Sequence, residues 1–236
     1  MLFVSVAAGI CKACVARFRL GMMWIMDIWI ERFEHLRDQL LLLPRRQATL
    51  LIGIDAPGGS GKSVFTQALF RLFPRAAIVQ MDDFFLPSAQ RLRGEPAAKP
   101  IGADFDWPRV LAQVLVPLLE NRQAHYQRYD WDSDALAEWH TIPVGGTVFV
   151  EGVYALRNEL AVAYDFTIWL ECPREIRLAR GIARSGEQIR PIWENDWMVA
   201  EDLYIAAHRP SERASLVVDS SGALQHNLES EFVRLK

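Results

Sequence analysis

Cysteine is nearly absent: the 236-residue chain carries three, Cys11, Cys14 and Cys172. Three cannot build a disulfide framework, and such usage points to a reducing compartment, expected to be the cytoplasm. Cys11 and Cys14 form a C-x-x-C, but no second pair completes a metal site and no redox-type strand and helix surround it. Long apolar runs are missing as well. LFVSVAAGI and MMWIM stop short of the ~18 residues that cross a bilayer, so no membrane span is expected. The first of them also lacks the basic lead of a signal peptide. Residues 1 to 25 read as an extension ahead of alternative starts at Met22, Met23 or Met26. Charge of one sign is not in excess either: a net charge of -3 argues against a dedicated nucleic-acid binder, which usually shows a strongly basic face. There is no low-complexity tract and no internal repeat.

What is present is a globular composition, 51% hydrophobic and 23% charged. From Met26, Trp29, Phe33, Leu36, Leu40 and Leu43 recur at helical spacing until Pro44, which predicts an amphipathic helix. TLLIGI, AAIVQM, GGTVFVEG, YDFTIWLEC and ASLVVDSSG have strand character. KSVFTQALFRLFP, PRVLAQVLVPLLENRQ, PREIRLARGIARSGE and WENDWMVAEDLYIAAHRP read as helices, with a short helical segment around Leu156 to Ala161 and a further helix expected at the C-terminus. Strands alternating with helices predict an α/β fold, a parallel sheet with helices on both faces. The expected division is an extension with its helix over 1–45 and one domain over 46–236. DDFFLPSAQRLRGEPAAKPIGADFDWP is long, aperiodic and rich in proline and glycine, which marks a functional loop.

Between the first of these strands and its helix lies GIDAPGGSGKS. Residues 56 to 63 fit G-x-x-x-x-G-K-[ST] except at the first place, which Ala56 holds. Such a loop turns successive backbone N–H groups inward on phosphate oxygens, and the following helix adds its positive end. Gly58, Gly59, Ser60, Gly61, Lys62, Ser63 and Val64 form the expected cradle for ATP. Lys62 reaches the β- and γ-phosphates, and the Ser63 hydroxyl is offered to magnesium. No N-K-x-D segment accompanies the loop, so guanine is not the expected base.

In parallel sheets ligands lie beyond the carboxyl ends of the strands. Acids stand at three such ends: Asp55, the pair Asp82 and Asp83, and Glu151. Acids beside a triphosphate repel it unless they hold magnesium or take a proton, which points to phosphoryl transfer. Asp82 is the candidate base, and Glu151 the candidate metal ligand together with Ser63. Arg177, Arg180 and Arg184, at i, i+3 and i+7, share a helix face and could neutralise charge on the transferred group as part of a short helical lid. Trp193 and Trp197, at i and i+4, read as helix-packing residues.

These residues together resemble the uridine kinase and phosphoribulokinase group of phosphate-loop kinases. GIDAPGGSGKS, MDDFF, FDWP, RYDW, VFVEGVYAL and REIRLARGIAR occur in that group's order between about Leu50 and Gly222. The resemblance implies ATP-dependent phosphorylation of a primary hydroxyl on a small molecule, a nucleoside of pyrimidine type. It implies Asp82, Lys62, Arg180 and Arg184 in catalysis, and Asp83, Asp106, Tyr129 and Arg177 as acceptor contacts. Neither a nucleic-acid nor a membrane partner is implied, and a homo-oligomer is compatible with it. Three departures bear on the acceptor: Asp134 where uridine kinases carry a histidine, Phe85 for a tyrosine, and Ser185 for an aspartate after the last arginine. The same chemistry on nicotinamide riboside, pantothenate or a sugar phosphate is the nearest alternative, and the acidic run Asp130 to Asp134 weighs against a phosphorylated acceptor. A binding module without catalysis is a further reading, against which stand the intact Lys62, Ser63, Asp82 and Glu151.

Overall fold

A computed structural model of the chain describes residues 28–235. Cys11, Cys14 and the candidate starts at Met22, Met23 and Met26 lie outside the described residues. The described residues open on a strand, β1 (Trp29–Arg32), followed by α1 (Phe33–Leu41). The helix expected from Met26 is thus shorter than the periodicity suggested. Ile30 and Glu31 are committed instead to an antiparallel ladder with Val233 and Phe232. Phe33, Leu36 and Leu40 keep the predicted apolar stripe and are buried.

The centre is β2 (Thr49–Asp55), every residue of which is buried. It is followed by α2 (Lys62–Phe70) and β3 (Ala76–Gln80). After the long loop, α3 (Trp107–Val110) runs through a wider turn, Leu111–Leu115, into α4 (Val116–Leu119). An antiparallel hairpin of β4 (Ala124–Asp130) and β5 (Ala135–Ile142) forms a separate sheet. Then come β6 (Gly146–Glu151), α5 (Asn158–Ala161), β7 (Phe166–Glu171) and α6 (Arg174–Ser185). The chain ends through α7 (Arg190–Ile192), α8 (Met198–His208), α9 (Pro210–Arg213), β8 (Leu216–Asp219) and β9 (Glu231–Arg234). Where a C-terminal helix was expected, β9 instead closes the sheet by pairing with β1 and β8.

The main sheet has seven strands in the order β1-β9-β8-β7-β2-β6-β3. From β8 to β3 all neighbours are parallel, and the pair β1 and β9 is antiparallel at one edge. A strand buried on both faces packs helices on both, and β2 alternates accordingly. Leu50, Ile52 and Ile54 join Phe33, Leu36, Phe65 and Leu69 of α1 and α2 on one side. On the other, Leu51 meets Val110, Val114, Leu118, Leu160 and Tyr204. Gly53 also faces that side, where a Cβ would stand 2.6 Å from the Tyr164 ring, so only glycine fits. The register sets Glu151 level with both Ile54 and Gln80, bringing the ends of β2, β6 and β3 to one rim.

Candidate active site

The loop joining β2 to α2 turns on two glycines with positive φ, Gly59 at 77° and Gly61 at 86°. Gly59 needs glycine twice over, because a Cβ there would lie 2.4 Å from the Arg177 carbonyl oxygen. Around Gly61 no atom would come within 4 Å of a Cβ, so only the dihedral demands it. Ser60 is fully buried with its Oγ unpartnered. Lys62 and Ser63 open α2, whose first-turn N–H groups have no intrahelical acceptors.

Ser63 Oγ lies 3.2 Å from Glu151 Oε1 as its hydrogen-bond donor. Glu151 is 5% exposed, and burial lifts its carboxyl above the ordinary glutamate range, with Lys62 acting in the opposite sense. Asp82 also raises it, which places the two acids within electrostatic reach of each other. Gly152, at φ 144°, makes that approach possible: a Cβ there would fall 2.5 Å from Met81 Cβ. Asp82 itself is exposed on the turn Met81–Phe84 that follows β3.

One cavity of about 530 Å³ takes in Lys62, Ser63, Asp82, Glu151 and Arg184. Beyond Asp82 it continues between Phe85, Phe105, Trp131, Tyr154 and Trp197, with Arg91, Lys99 and Asp104 among them. Trp131 is 53% exposed and stacks on Phe85 with centroids 4.6 Å apart, so an aromatic plane is offered to a ligand. Lys99 is held 3.3 Å from Asp104.

Other sequence-predicted residues stand elsewhere. Asp83 is buried beneath Asp82 and accepts a hydrogen bond from the Tyr126 hydroxyl at 3.0 Å. Asp106 caps α3 through Arg109 N, and Tyr129 donates to Asp134 Oδ1 at 2.6 Å; neither lines the cavity. Arg180 donates to the carbonyls of Ser220 and Ser221, which orients it toward the end of β8. Arg177 is buried against Glu201. Of Arg177, Arg180 and Arg184 on α6, only Arg184 lines the cavity. Asp55 does not join the other strand-end acids: it is wholly buried and accepts from Tyr204 Oη at 2.6 Å and Leu156 N at 2.8 Å.

Asp134, which holds the place of a histidine, is occupied by the Ser88 amide and hydroxyl and by Tyr129, and these hold its carboxyl down to about 2. Asp130 is bound by Arg128 and Ser133. Arg91 stands 3.6 Å from Asp134 as well, so the acids at both ends of the run are met by cations, and Trp131 is the run's contribution to the cavity wall. Sequence reasoning passed over Glu201, whose only signal was its position on a helix, and over Arg91 and Lys99, though their loop was marked as functional. Trp193 is buried as expected, whereas Trp197 is 42% exposed and lines the cavity.

Among the described residues no group of three His, Cys, Asp or Glu is arranged around a metal. Magnesium in phosphoryl-transfer sites takes one or two protein oxygens and fills its remaining positions with phosphate and water. Ser63 and Glu151, side by side at the mouth of the glycine loop, fit that demand.

A parallel α/β sheet with a glycine loop, lysine and serine at the end of a central strand defines a phosphate-loop nucleotide-binding fold. Residues 51–194 match the family described as Phosphoribulokinase / Uridine kinase family. Over 167 residues the chain is 27% identical to inorganic pyrophosphatase TTM2 of Arabidopsis thaliana, covering 66% of this chain but 23% of that protein. It thus spans about a quarter of that relative's length. It is 24% identical over 198 residues to a uridine kinase of Borrelia turicatae, covering 78% of this chain and 91% of that one. A solved structure described as a possible uridine kinase from Bacillus stearothermophilus shares the fold. Its TM-score is 0.63 at 23% identity, over 78% of this chain and 96% of the other. The chain belongs to the phosphoribulokinase / uridine kinase family.

Proposed function

We propose that the protein is a nucleoside kinase that transfers the γ-phosphoryl of ATP to the 5′-hydroxyl of a pyrimidine nucleoside. The observation that carries this reading is the single cavity that joins the glycine loop, an exposed Asp82 and a wall of aromatic rings. The backbone N–H groups from Gly59 onward and Lys62 hold the phosphates of ATP, and Val64 lies beside them in the first turn of α2. Magnesium, held by Ser63 and Glu151, neutralises phosphate charge when bound. Asp82 accepts the proton of the attacking hydroxyl, and Arg184 balances charge on the group in transfer. Exclusion of water falls to the residues around Trp193 and Trp197, which run from α7 into α8 and line the cavity. The work is expected in the cytoplasm, with a small molecule as the partner.

Asp82→Asn tests the assignment. Loss of a general base costs about 10²–10⁴ in kcat, and ATP affinity measured by calorimetry should stay unchanged. Full activity in that variant removes Asp82 from the mechanism.

A second reading rests on Arg91 and Lys99. Each cation is paired, Arg91 with Asp134 at 3.6 Å and Lys99 with Asp104 at 3.3 Å, and an acceptor bearing a carboxylate or phosphate would take the place of those acids. A sugar phosphate or pantothenate is the substrate class of that reading.

A further inference from the structure

The Arg177–Glu201 ion pair lies beneath the glycine loop with side chains 4% and 7% exposed. The Glu201 carboxylate is shared: Oε2 accepts from Arg177 Nη1 at 2.7 Å, and Oε1 accepts from the backbone N–H of Gly58, also at 2.7 Å. The contact has a second limb, because the Arg177 carbonyl presses on Gly59 so closely that no Cβ fits. Trp193 forms the third. A Cβ on Gly58 would lie 3.0 Å from its ring, and one on Gly181 would lie 2.5 Å from it. The glycine loop is thereby gripped by α6, by α8 and by the segment that joins them.

Burying a charge pair costs desolvation, and an apolar pair of similar volume commonly serves stability as well. Stability alone therefore does not account for it. A carboxylate shared between an arginine and a loop amide does something an apolar pair cannot: it fixes the direction of one N–H, and with it the peptide planes that follow. Those planes carry the N–H groups that must face phosphate. Arg184 stands two turns beyond Arg177 on α6, so the same contact sets its distance from the loop.

We propose that Arg177 and Glu201 are positioning residues, a latch that preorganises the glycine loop for the phosphates of ATP and ties the arm bearing Arg184 to it. This rests on the kinase reading of the site, and moves Arg177 from an acceptor contact to a support of the nucleotide loop.

The test uses the full chain. Arg177→Met combined with Glu201→Leu removes both charges and leaves the Gly58 N–H without an acceptor. Glu201→Asp keeps a charge beside Arg177 but shortens the reach to Gly58. Amide exchange at Gly58 in the nucleotide-free protein should accelerate in both. The Kd for ATP, by calorimetry, should rise about tenfold or more, as expected for loss of a charge-assisted hydrogen bond. KM for the acceptor should hold while KM for ATP follows Kd. A merely structural pair moves none of these in the folded double variant, and unchanged Gly58 exchange and ATP affinity in either folded variant overturns the latch. If the unsubstituted chain binds ATP yet phosphorylates no alcohol, the kinase reading fails, and exchange and affinity still judge the latch.

Discussion

Asp55 makes the stability of this protein depend on pH in an unusual direction. It ends β2 immediately before the glycine loop, is wholly buried, and burial pushes its carboxyl up to about 7 against the pull of Tyr204 and the Leu156 amide. Both of those donors meet Oδ2, whereas Oδ1 has no partner. A buried Oδ1 that no donor reaches leaves the carboxylate charge uncompensated, which favours the neutral acid. In the unfolded chain the group ionises near 4. Between there and about 7 the unfolded state has given up a proton that the folded state keeps, so folding stability falls as pH rises through this window. Below it the contribution is fully present, and above it fully lost. The move from 3.8 to about 7 is worth about 4 kcal/mol. Asp55→Asn cannot ionise, keeps an oxygen for Tyr204 and Leu156, and places its amide where Oδ1 stands. Its unpartnered NH₂ lowers stability by about 1–3 kcal/mol at low pH, but its slope against pH should be flatter. Urea unfolding of both proteins from pH 4.5 to 7.5 reads the difference. Glu151 and Glu201 are also raised by burial, and they contribute to both curves equally. Parallel curves for the two proteins would refute the reasoning.

Two further perturbations follow from the site. Gly59→Ala puts a methyl 2.4 Å from the Arg177 carbonyl at a φ of 77°, so it should destabilise by about 1–3 kcal/mol and weaken ATP binding; thermal unfolding and calorimetry check both effects. Trp131→Ala removes the exposed ring that stacks on Phe85 and should raise the KM of an aromatic acceptor about tenfold or more, leaving the KM for ATP unchanged; steady-state kinetics with each substrate varied separates the two.

The glycine-loop end of the candidate site was legible in the sequence because its geometry is local. A strand, a glycine loop and a helix in direct succession place Lys62 and Ser63 without help from the rest of the chain. Glu151 and Asp82 could be read because strand ends of a parallel sheet converge by topology. Asp55 obeyed the same rule and misled, since its fate depends on Tyr204, far away on α8. The arginines show the limit of periodicity: i, i+3 and i+7 put Arg177, Arg180 and Arg184 on one face, but three different neighbours claim them. Glu201, the Ser220 and Ser221 carbonyls after β8, and the cavity all come from other segments. At the start of the chain, Trp29 fits a helix by spacing and a strand by context. The context, β9, lies about 200 residues downstream.

Turnover against a panel of alcohols bears most directly on the central claim. The full chain, with ATP and magnesium, would be offered uridine, cytidine, nicotinamide riboside, pantothenate and ribulose 5-phosphate in a coupled ADP-release assay. The account predicts ADP release dependent on a pyrimidine nucleoside and suppressed by Asp82→Asn. ATP bound with no alcohol phosphorylated would contradict it.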